Sequence, residues 1–189
     1  CLQAFAAARN PFSLITRGPM IVRDIDVLQE ASHRAEVGVT FSIPTLDQEV
    51  WSRTEIGTAH PRQRLRAVRM LVEAGIDASV GLAPILPGIS DRPEMLADVV
   101  RAAREAGATS VWCNLLYLKP GTREHFLERL ARDWPDLLKR YQRLYAGQAY
   151  LDKGVSDPVK QRVKELREEL GIADRRRVKL EPAPEPEQL

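Results

Sequence analysis

Cysteine is scarce in this chain, since Cys1 and Cys113 are the only two among 189 residues. Two cysteines do not make the disulfide framework of a small secreted domain. Neither has another cysteine or a histidine at ligand spacing, so the sequence indicates no cysteine-based metal site. Cys113, in the middle of a β-prone run, is expected to be a small buried apolar side chain.

The chain also lacks long apolar runs and a strong excess of basic or acidic side chains. No stretch approaches the roughly 20 apolar residues that a membrane span needs, and no charged-then-apolar signal peptide opens the chain. The 28 basic and 26 acidic side chains leave a formal net charge of +2, which gives no strong attraction to nucleic acid or membrane. These absences predict a cytoplasmic protein with no membrane partner. The start at Cys1, where methionine is usual, indicates a truncated or partial sequence.

What the chain does contain is a regular alternation of β-prone and helix-prone segments. The sequences EAGI at 73–76 and EAGA at 105–108 repeat the same junction between a helix and a strand. Such alternation predicts an α/β fold with a parallel sheet, open or closed into a barrel. The near-continuous apolar character of the strands predicts that both faces are covered. The predicted strands lie near residues 12–16, 37–43, 78–83 and 110–117.

Capping signals mark the predicted helices between these strands. Asp24 suits the N-cap of a helix that reaches about Ser32, and Pro61 suits the first turn of a helix that Gly75 ends. A capping box of Asp91 and Glu94 is expected to open a helix that runs to residue 107. In the helix that begins at Pro61, four arginines are expected to form a solvated face: Arg62, Arg64, Arg66 and Arg69.

After residue 121 the pattern changes to helices alone, over residues 124–146 and 158–170, which we expect to cover the end of the sheet. The last residues are charged and proline-rich, a composition typical of disorder. The predicted organisation is therefore four β/α units over 1–121, a helical extension over 122–172 and a disordered tail over 173–189.

Ligands of parallel α/β folds gather at the carboxyl ends of the strands. In this chain those ends carry few ionisable groups and no Ser/His/Asp set, carboxylate pair or phosphate-binding glycine loop. Such loops suit a cofactor held through backbone contacts and a few polar side chains. They read TRGP at 16–19, SIPT at 42–45, PILPG at 84–88 and YLKPG at 117–121.

Four motifs at these strand ends resemble one family, the spore photoproduct lyase-like radical S-adenosylmethionine (radical SAM) proteins. PFSLITRG at 11–18 looks like the family's third β/α unit, and VTFSIPTLD at 39–47 resembles its fourth strand and following turn. GLAPILPGISD at 81–91 is similar to its fifth strand, and LLYLKPG at 115–121 completes the set. The resemblance runs from about residue 11 to 170 and implies a partial (β/α) barrel truncated at its N-terminus.

The resemblance also implies a [4Fe–4S] cluster in the parent protein, bound by a Cys-x3-Cys-x2-Cys loop after the first strand. Cysteine thiolates hold such clusters, and this chain has no such loop. The implied parent reaction is reductive cleavage of SAM to methionine and a 5′-deoxyadenosyl radical, which abstracts hydrogen from a substrate. This chain alone is expected to be inactive in that reaction.

The resemblance assigns SAM contacts to seven residues. Arg17 would pair with the SAM carboxylate, a role that the family often gives to lysine, and Ser42 would bind the methionine moiety or the ribose. The adenosyl group would be lined by Ala83, Pro84 and Ile85. The adenine edge would meet the backbone at Leu116 and Tyr117.

Each assignment has a simpler alternative. Arg17 could pair with Asp24, and Ser42 could be an interior serine that bonds a neighbouring carbonyl. Trp112 and Tyr117 are most simply core residues.

Two other functions stay open at this point. A (β/α)-barrel lyase or aldolase would need a lysine or carboxylate at a strand end, and Lys119 is the sole candidate. A nucleic-acid-binding module would need positive charge clustered on one face, against which the interspersed acidic residues argue. Nucleic acid is nonetheless kept as a candidate substrate, because relatives of the resembled family repair DNA.

Overall fold

The structure of the chain, a computed structural model, describes residues 1–173. The predicted tail from residue 174 onward lies outside the described residues. The helices and strands are α1 (Leu2–Ala7), β1 (Phe12–Thr16), a 3₁₀ turn (Pro19–Asp24), α2 (Ile25–Ser32), β2 (Val37–Ser42), α3 (Gln48–Thr54), α4 (Pro61–Glu73), β3 (Asp77–Ile85), α5 (Pro93–Glu105), β4 (Val111–Leu115), α6 (Thr122–Asp133), a second 3₁₀ turn (Pro135–Leu137), α7 (Leu138–Leu144) and α8 (Lys153–Glu169).

The four strands form one parallel sheet in the order β1-β2-β3-β4. Thr16 of β1 pairs with Phe41 of β2, and Ser42 of β2 pairs with Gly81 of β3, so the carboxyl ends of the strands meet at one edge. The predicted α/β class and the four adjacent parallel strands are confirmed. This order also leaves β1 with no strand beyond it among the described residues.

The two faces of the sheet differ in polarity. Val39, Phe41, Val80 and Leu82 are buried on the outer face, where they pack against the helices. The alternate residues of β2 and β3 on the inner face are small or polar, and the hydroxyls of Thr40 and Ser79 hydrogen-bond there at 2.7 Å. Successive side chains of a strand point to opposite sides, and every residue of β2 is buried, so the prediction that both faces are covered is confirmed for β2. It is wrong for β1, where Ser13 and Ile15 are exposed.

The repeated junction between helix and strand has a common structural cause. After α4, the N–H of Ile76 donates to the carbonyl of Leu71, and after α5 the N–H of Ala108 donates to the carbonyl of Ala103. Gly75 and Gly107 lie between them at φ +77° and +80°. This is the Schellman arrangement, in which glycine takes the left-handed position without strain.

Two predictions about the helices are wrong: the start of α5 and the continuity of the helix that follows residue 121. The Asp91 carboxylate accepts a hydrogen bond from the N–H of Gly88 in the preceding loop, and α5 begins instead at Pro93 with Arg92 as its N-cap. The single helix predicted over 124–146 is two helices, α6 and α7, because Pro135 excludes the helical conformation at Trp134 (φ −144°, ψ 66°).

A second apolar cluster lies beyond the carboxyl ends of the strands, against α6 and α7. Leu118, Leu130, Tyr141 and Tyr145 are buried in it. Helices α6 and α7 therefore cover the end of the sheet where the loops converge, as predicted, whereas α8 packs against α5 and β4. The division of the chain into domains stays a prediction.

Candidate functional site

A cavity of about 390 Å³ opens at the carboxyl ends of the strands. Its volume falls within the range of small-molecule sites. One wall consists of the strand-end loops, a second of α3, and a third of α6. Of the seven residues assigned to SAM, the structure brings three to this cavity: Arg17, Pro84 and Leu116.

Arg17 lies directly after β1 and reaches across the cavity mouth to Glu55. Its Nε is 3.2 Å from Oε1 of Glu55, which is the residue that ends α3. The Arg17 side chain is 45% exposed, whereas that of Glu55 is 3% exposed. The alternative pairing of Arg17 with Asp24 is wrong, because Glu55 of the next β/α unit takes that place.

On the interior side, the Glu55 carboxylate forms a buried ion pair with Arg64 of α4. Nη1 of Arg64 donates to both carboxylate oxygens, at 2.9 and 3.1 Å. Arg64 is completely buried, and its other donors meet the Ser42 carbonyl, the Ala59 carbonyl and the Thr58 hydroxyl. The predicted solvated arginine face is therefore wrong at this position.

Ser42 and Ala83 are not among the residues that line the cavity, and they hydrogen-bond to each other. The Ser42 hydroxyl donates to the Ala83 carbonyl at 2.6 Å, as its simpler predicted role requires, and its oxygen keeps lone pairs as acceptors. The Ala83–Pro84 peptide bond is cis, and Pro84 lines the cavity. The side chain of Ile85 is fully buried in the apolar core behind the sheet.

At the end of β4 the backbone is held by two hydrogen bonds. The Leu116 N–H donates to the Ile85 carbonyl at 3.0 Å, and the Leu116 carbonyl accepts from the Tyr145 hydroxyl at 2.7 Å. Burial raises the pKa of Tyr145, so its phenol stays protonated and donates throughout the neutral range. Tyr117 is exposed instead of lying in the core as predicted, and its ring lies 4.3 Å from that of Tyr150.

The third wall, from α6, was not identified from the sequence. Its cavity-facing residues recur every three or four positions, which is the spacing of one helix face. Next to α6, the cavity is also lined by a cation–π pair, in which the Arg53 guanidinium lies 5.5 Å from the ring centroid of Trp134. Helical periodicity beyond YLKPG is the signal that could have found this wall, whose members are Thr122, His125, Phe126, Arg129, Leu130 and Asp133.

The structure gives little support to the aldolase alternative. Lys119 lies outside the cavity lining, with its Nζ 5.6 Å from the ring centroid of Tyr117. A Schiff-base lysine needs a desolvated pocket that lowers its pKa, and Lys119 is exposed.

Comparison with known families identifies the chain. The model of the radical SAM superfamily matches residues 2–100, just over half of the sequence. The chain belongs to the radical SAM superfamily. Among curated proteins it is 35% identical over 163 residues to the uncharacterized protein Rv2578c of Mycobacterium tuberculosis, covering 86% of this chain and 48% of that relative. ORF301 of Acidianus two-tailed virus is 27% identical over 122 residues, covering 63% of this chain and 40% of that relative. The radical SAM chain thus spans about half the length of curated relatives that it matches.

Solved structures show that this superfamily member has the fold of spore photoproduct lyase. The structure of that lyase complexed with dinucleoside spore photoproduct superimposes with a TM-score of 0.60 at 15% identity, over 89% of this chain and 53% of that one. A lyase mutant with bound AdoMet and dinucleoside spore photoproduct gives a TM-score of 0.59 at 16% identity, over 88% and 53%. The predicted partial radical SAM-type barrel is confirmed.

The radical SAM family implies a [4Fe–4S] cluster, and the residues present here do not fit one. Thiolate ligands are required, but Cys1 is exposed at the start of the chain and Cys113 is half-buried in β4. Within residues 1–173 no three His, Cys, Asp or Glu side chains form a group that could hold a metal ion. Over the same residues no helix is both long and apolar enough to cross a membrane.

Proposed function

We propose that this chain binds SAM in the cavity at its strand ends, as one part of a radical SAM enzyme. The observation that carries the proposal is Arg17 at the mouth of that cavity. Its Nε faces Glu55, which leaves the terminal Nη1 and Nη2 pair as a fork for a second carboxylate. The family match and the fold shared with a lyase that binds AdoMet support the choice of ligand.

The other SAM contacts follow the strand ends in order. Ser42, whose hydroxyl oxygen can still accept, is proposed to meet the methionine moiety or the ribose. Ala83, Pro84 and Ile85 are proposed to supply the adenosyl wall, with Pro84 as the member whose side chain lines the cavity. The backbone at Leu116 and Tyr117 is proposed to meet the adenine edge, and Tyr145 holds that backbone in place.

What this chain contributes to the chemistry is binding, orientation and exclusion of water. The apolar side chains of Val50, Phe126 and Leu130 enclose the cavity from the side of α3 and α6. Reductive cleavage of SAM would need cluster thiolates that these 189 residues do not provide.

Substitution of Arg17 tests the SAM site. Hydrogen bonds to charged groups contribute roughly 1.5–3 kcal/mol, so Arg17→Ala should weaken SAM binding about tenfold to a hundredfold. Arg17→Lys should recover most of the affinity, because it keeps the charge. The measurement is calorimetric titration of SAM into the natural gene product that contains this chain.

Arg34 supplies the matched control for this titration. It is 44% exposed and pairs with Glu30 at 3.0 Å, much as Arg17 pairs with Glu55, but it lies on the turn before β2. Arg34→Ala should leave SAM affinity unchanged. Unchanged affinity in Arg17→Ala as well would remove Arg17 from the site.

A nucleic-acid-like substrate is the class that we propose for the enzyme. One structural neighbour holds a dinucleoside photoproduct, and this chain presents an exposed aromatic pair, Tyr117 and Tyr150, with Lys119 beside it. Bases stack on such rings, and each stack contributes about 1–3 kcal/mol. Tyr150→Ala should therefore weaken binding of a short labelled oligothymidylate about fivefold or more, measured by fluorescence anisotropy. Equal binding by Tyr150→Ala and the unaltered protein would contradict this surface.

A further inference from the structure

The strongest feature that the SAM proposal leaves unused is the buried carboxylate of Glu55 between two arginines. Arg17 approaches one of its oxygens from the cavity, and Arg64 binds both oxygens from the interior. We propose that Glu55 is a positioning residue, which Arg64 locks in place and which in turn holds Arg17 for the carboxylate of SAM. This inference rests on the proposed SAM site.

Geometry is the first argument for this role. An arginine that is 45% exposed at the end of a strand loses considerable side-chain entropy when it must hold one rotamer for a ligand. The contact of its Nε with Glu55 restricts the side chain before the ligand arrives. Such preorganisation raises affinity because less freedom is lost on binding.

The balance of charge is the second argument. Two guanidinium groups face one carboxylate, so the cluster carries a net charge of +1 at neutral pH. The contact of Arg64 Nη1 with both carboxylate oxygens offsets the charge of Glu55, which would otherwise neutralise Arg17 and repel the carboxylate of SAM. Arg17 therefore keeps a positive charge at the cavity mouth.

Arg64, which holds Glu55, is itself held rigidly. Arg64 is fully buried and binds the carbonyl of Ser42 at 2.7 Å, as well as the loop that contains Thr58 and Ala59. The position of Glu55 is thus tied to the end of β2, where Ser42 also stands. Arg17 and Ser42, which belong to neighbouring β/α units, acquire a fixed relative position through this network.

A double-mutant cycle with two ligands tests the role of Glu55. The natural gene product that contains this chain is titrated with SAM and with 5′-methylthioadenosine, which has the nucleoside but lacks the amino-acid carboxylate. Glu55→Gln should weaken SAM binding about fivefold to fiftyfold, because residues that act together show couplings of that order. Binding of 5′-methylthioadenosine should not change.

The cycle is completed with Arg17→Ala. If Glu55 acts through Arg17, the double variant Arg17→Ala/Glu55→Gln should bind SAM as Arg17→Ala does. The matched control is Glu30→Gln on α2, an exposed carboxylate paired with Arg34 at 3.0 Å and outside the cavity lining, which should leave both affinities unchanged. Glu55→Asp keeps the charge on a shorter side chain and should recover part of the SAM affinity.

The outcomes separate this inference from the proposed function. Additive losses in the double variant, or equal losses for both ligands, would overturn the positioning role while SAM binding stands. A failure of the unaltered protein to bind SAM would overturn both. If Glu55→Gln does not fold, Glu55→Asp decides: it should lose part of the SAM affinity and none of the affinity for 5′-methylthioadenosine, and unchanged SAM affinity in this variant would refute the role of the contact.

Discussion

Arg64 shows how one side chain can depart from the character of its helix. Arg62, Arg66 and Arg69 of α4 are exposed, as the charge pattern predicts, but Arg64 lies on the buried stripe that includes Pro61 and Val68. Its three-residue spacing from Pro61 and four-residue spacing to Val68 place it there. A buried arginine is retained only when partners satisfy it, and here Glu55 and three oxygen atoms do so.

Removal of Arg64 should therefore be costly to the fold. Arg64→Ala leaves the buried carboxylate of Glu55 without its main partner and the Ser42 carbonyl without a donor. Breaking a buried ion pair from one side costs about 3–5 kcal/mol, so the free energy of unfolding should fall by that amount in urea titrations. Arg66→Ala, on the exposed face of the same helix, should change it by less than about 0.5 kcal/mol. Equal stability of the two variants would refute the network.

At the scale of elements, the Trp112 side chain of β4 lies so close to Gly81 of β3 that this position excludes a side chain. The ring of Trp112 lies against Gly81 of the neighbouring strand, and a Cβ built at Gly81 would stand 2.8 Å from Cζ2 of Trp112. Glycine is therefore required here by close packing, as is common for glycines in strand interiors. Trp112, expected in the core, lies instead on the inner face of the sheet.

Gly81→Ala should destabilise the chain because the indole has to move. Overpacking of this kind costs about 1–3 kcal/mol, which thermal or urea denaturation would measure. In a Trp112→Ala background the clash is gone, and Gly81→Ala should become neutral or stabilising by up to about 1 kcal/mol, because alanine orders at lower entropic cost than glycine. A loss of the same size in both backgrounds would show that the indole is not the cause.

At the scale of the whole molecule, β1 lies at the edge of the sheet, and one of its apolar side chains is exposed to solvent on the inner face. The Phe12 N–H donates toward β2, so the alternate residues Ser13 and Ile15 direct their backbone groups to the free edge. Ile15 is also 67% exposed on the inner face. Unpaired strand edges and exposed apolar side chains promote association.

We therefore expect this chain in isolation to dimerise or aggregate through β1. Ile15→Lys should shift it toward monomer, because edge lysines oppose strand pairing. Light scattering coupled to size-exclusion chromatography would measure the mass. Met70→Lys replaces another exposed apolar residue on α4, away from the edge, and should leave association unchanged. A clean monomer of the unaltered chain at all concentrations would contradict this expectation.

The order of the elements, their parallel arrangement and the edge of the sheet where ligands gather could all be predicted from the amino-acid sequence. These features depend on local signals, such as the glycines at 75 and 107 and the prolines that begin helices, and such signals act within a few residues. The assignment of Arg17, Pro84 and Leu116 to one site came from the family resemblance of the strand-end motifs, and all three line the same cavity.

Which side chains meet at that edge depends on contacts between segments that are far apart in the chain. Glu55 has no local motif that marks it as a partner of Arg17, and Arg64 has the same chemistry as its exposed neighbours on α4. The α6 wall likewise depends on how the chain packs after Pro135 interrupts the helix. Contacts between distant segments are set by packing and by the need to satisfy buried charge, and no short stretch of sequence encodes either.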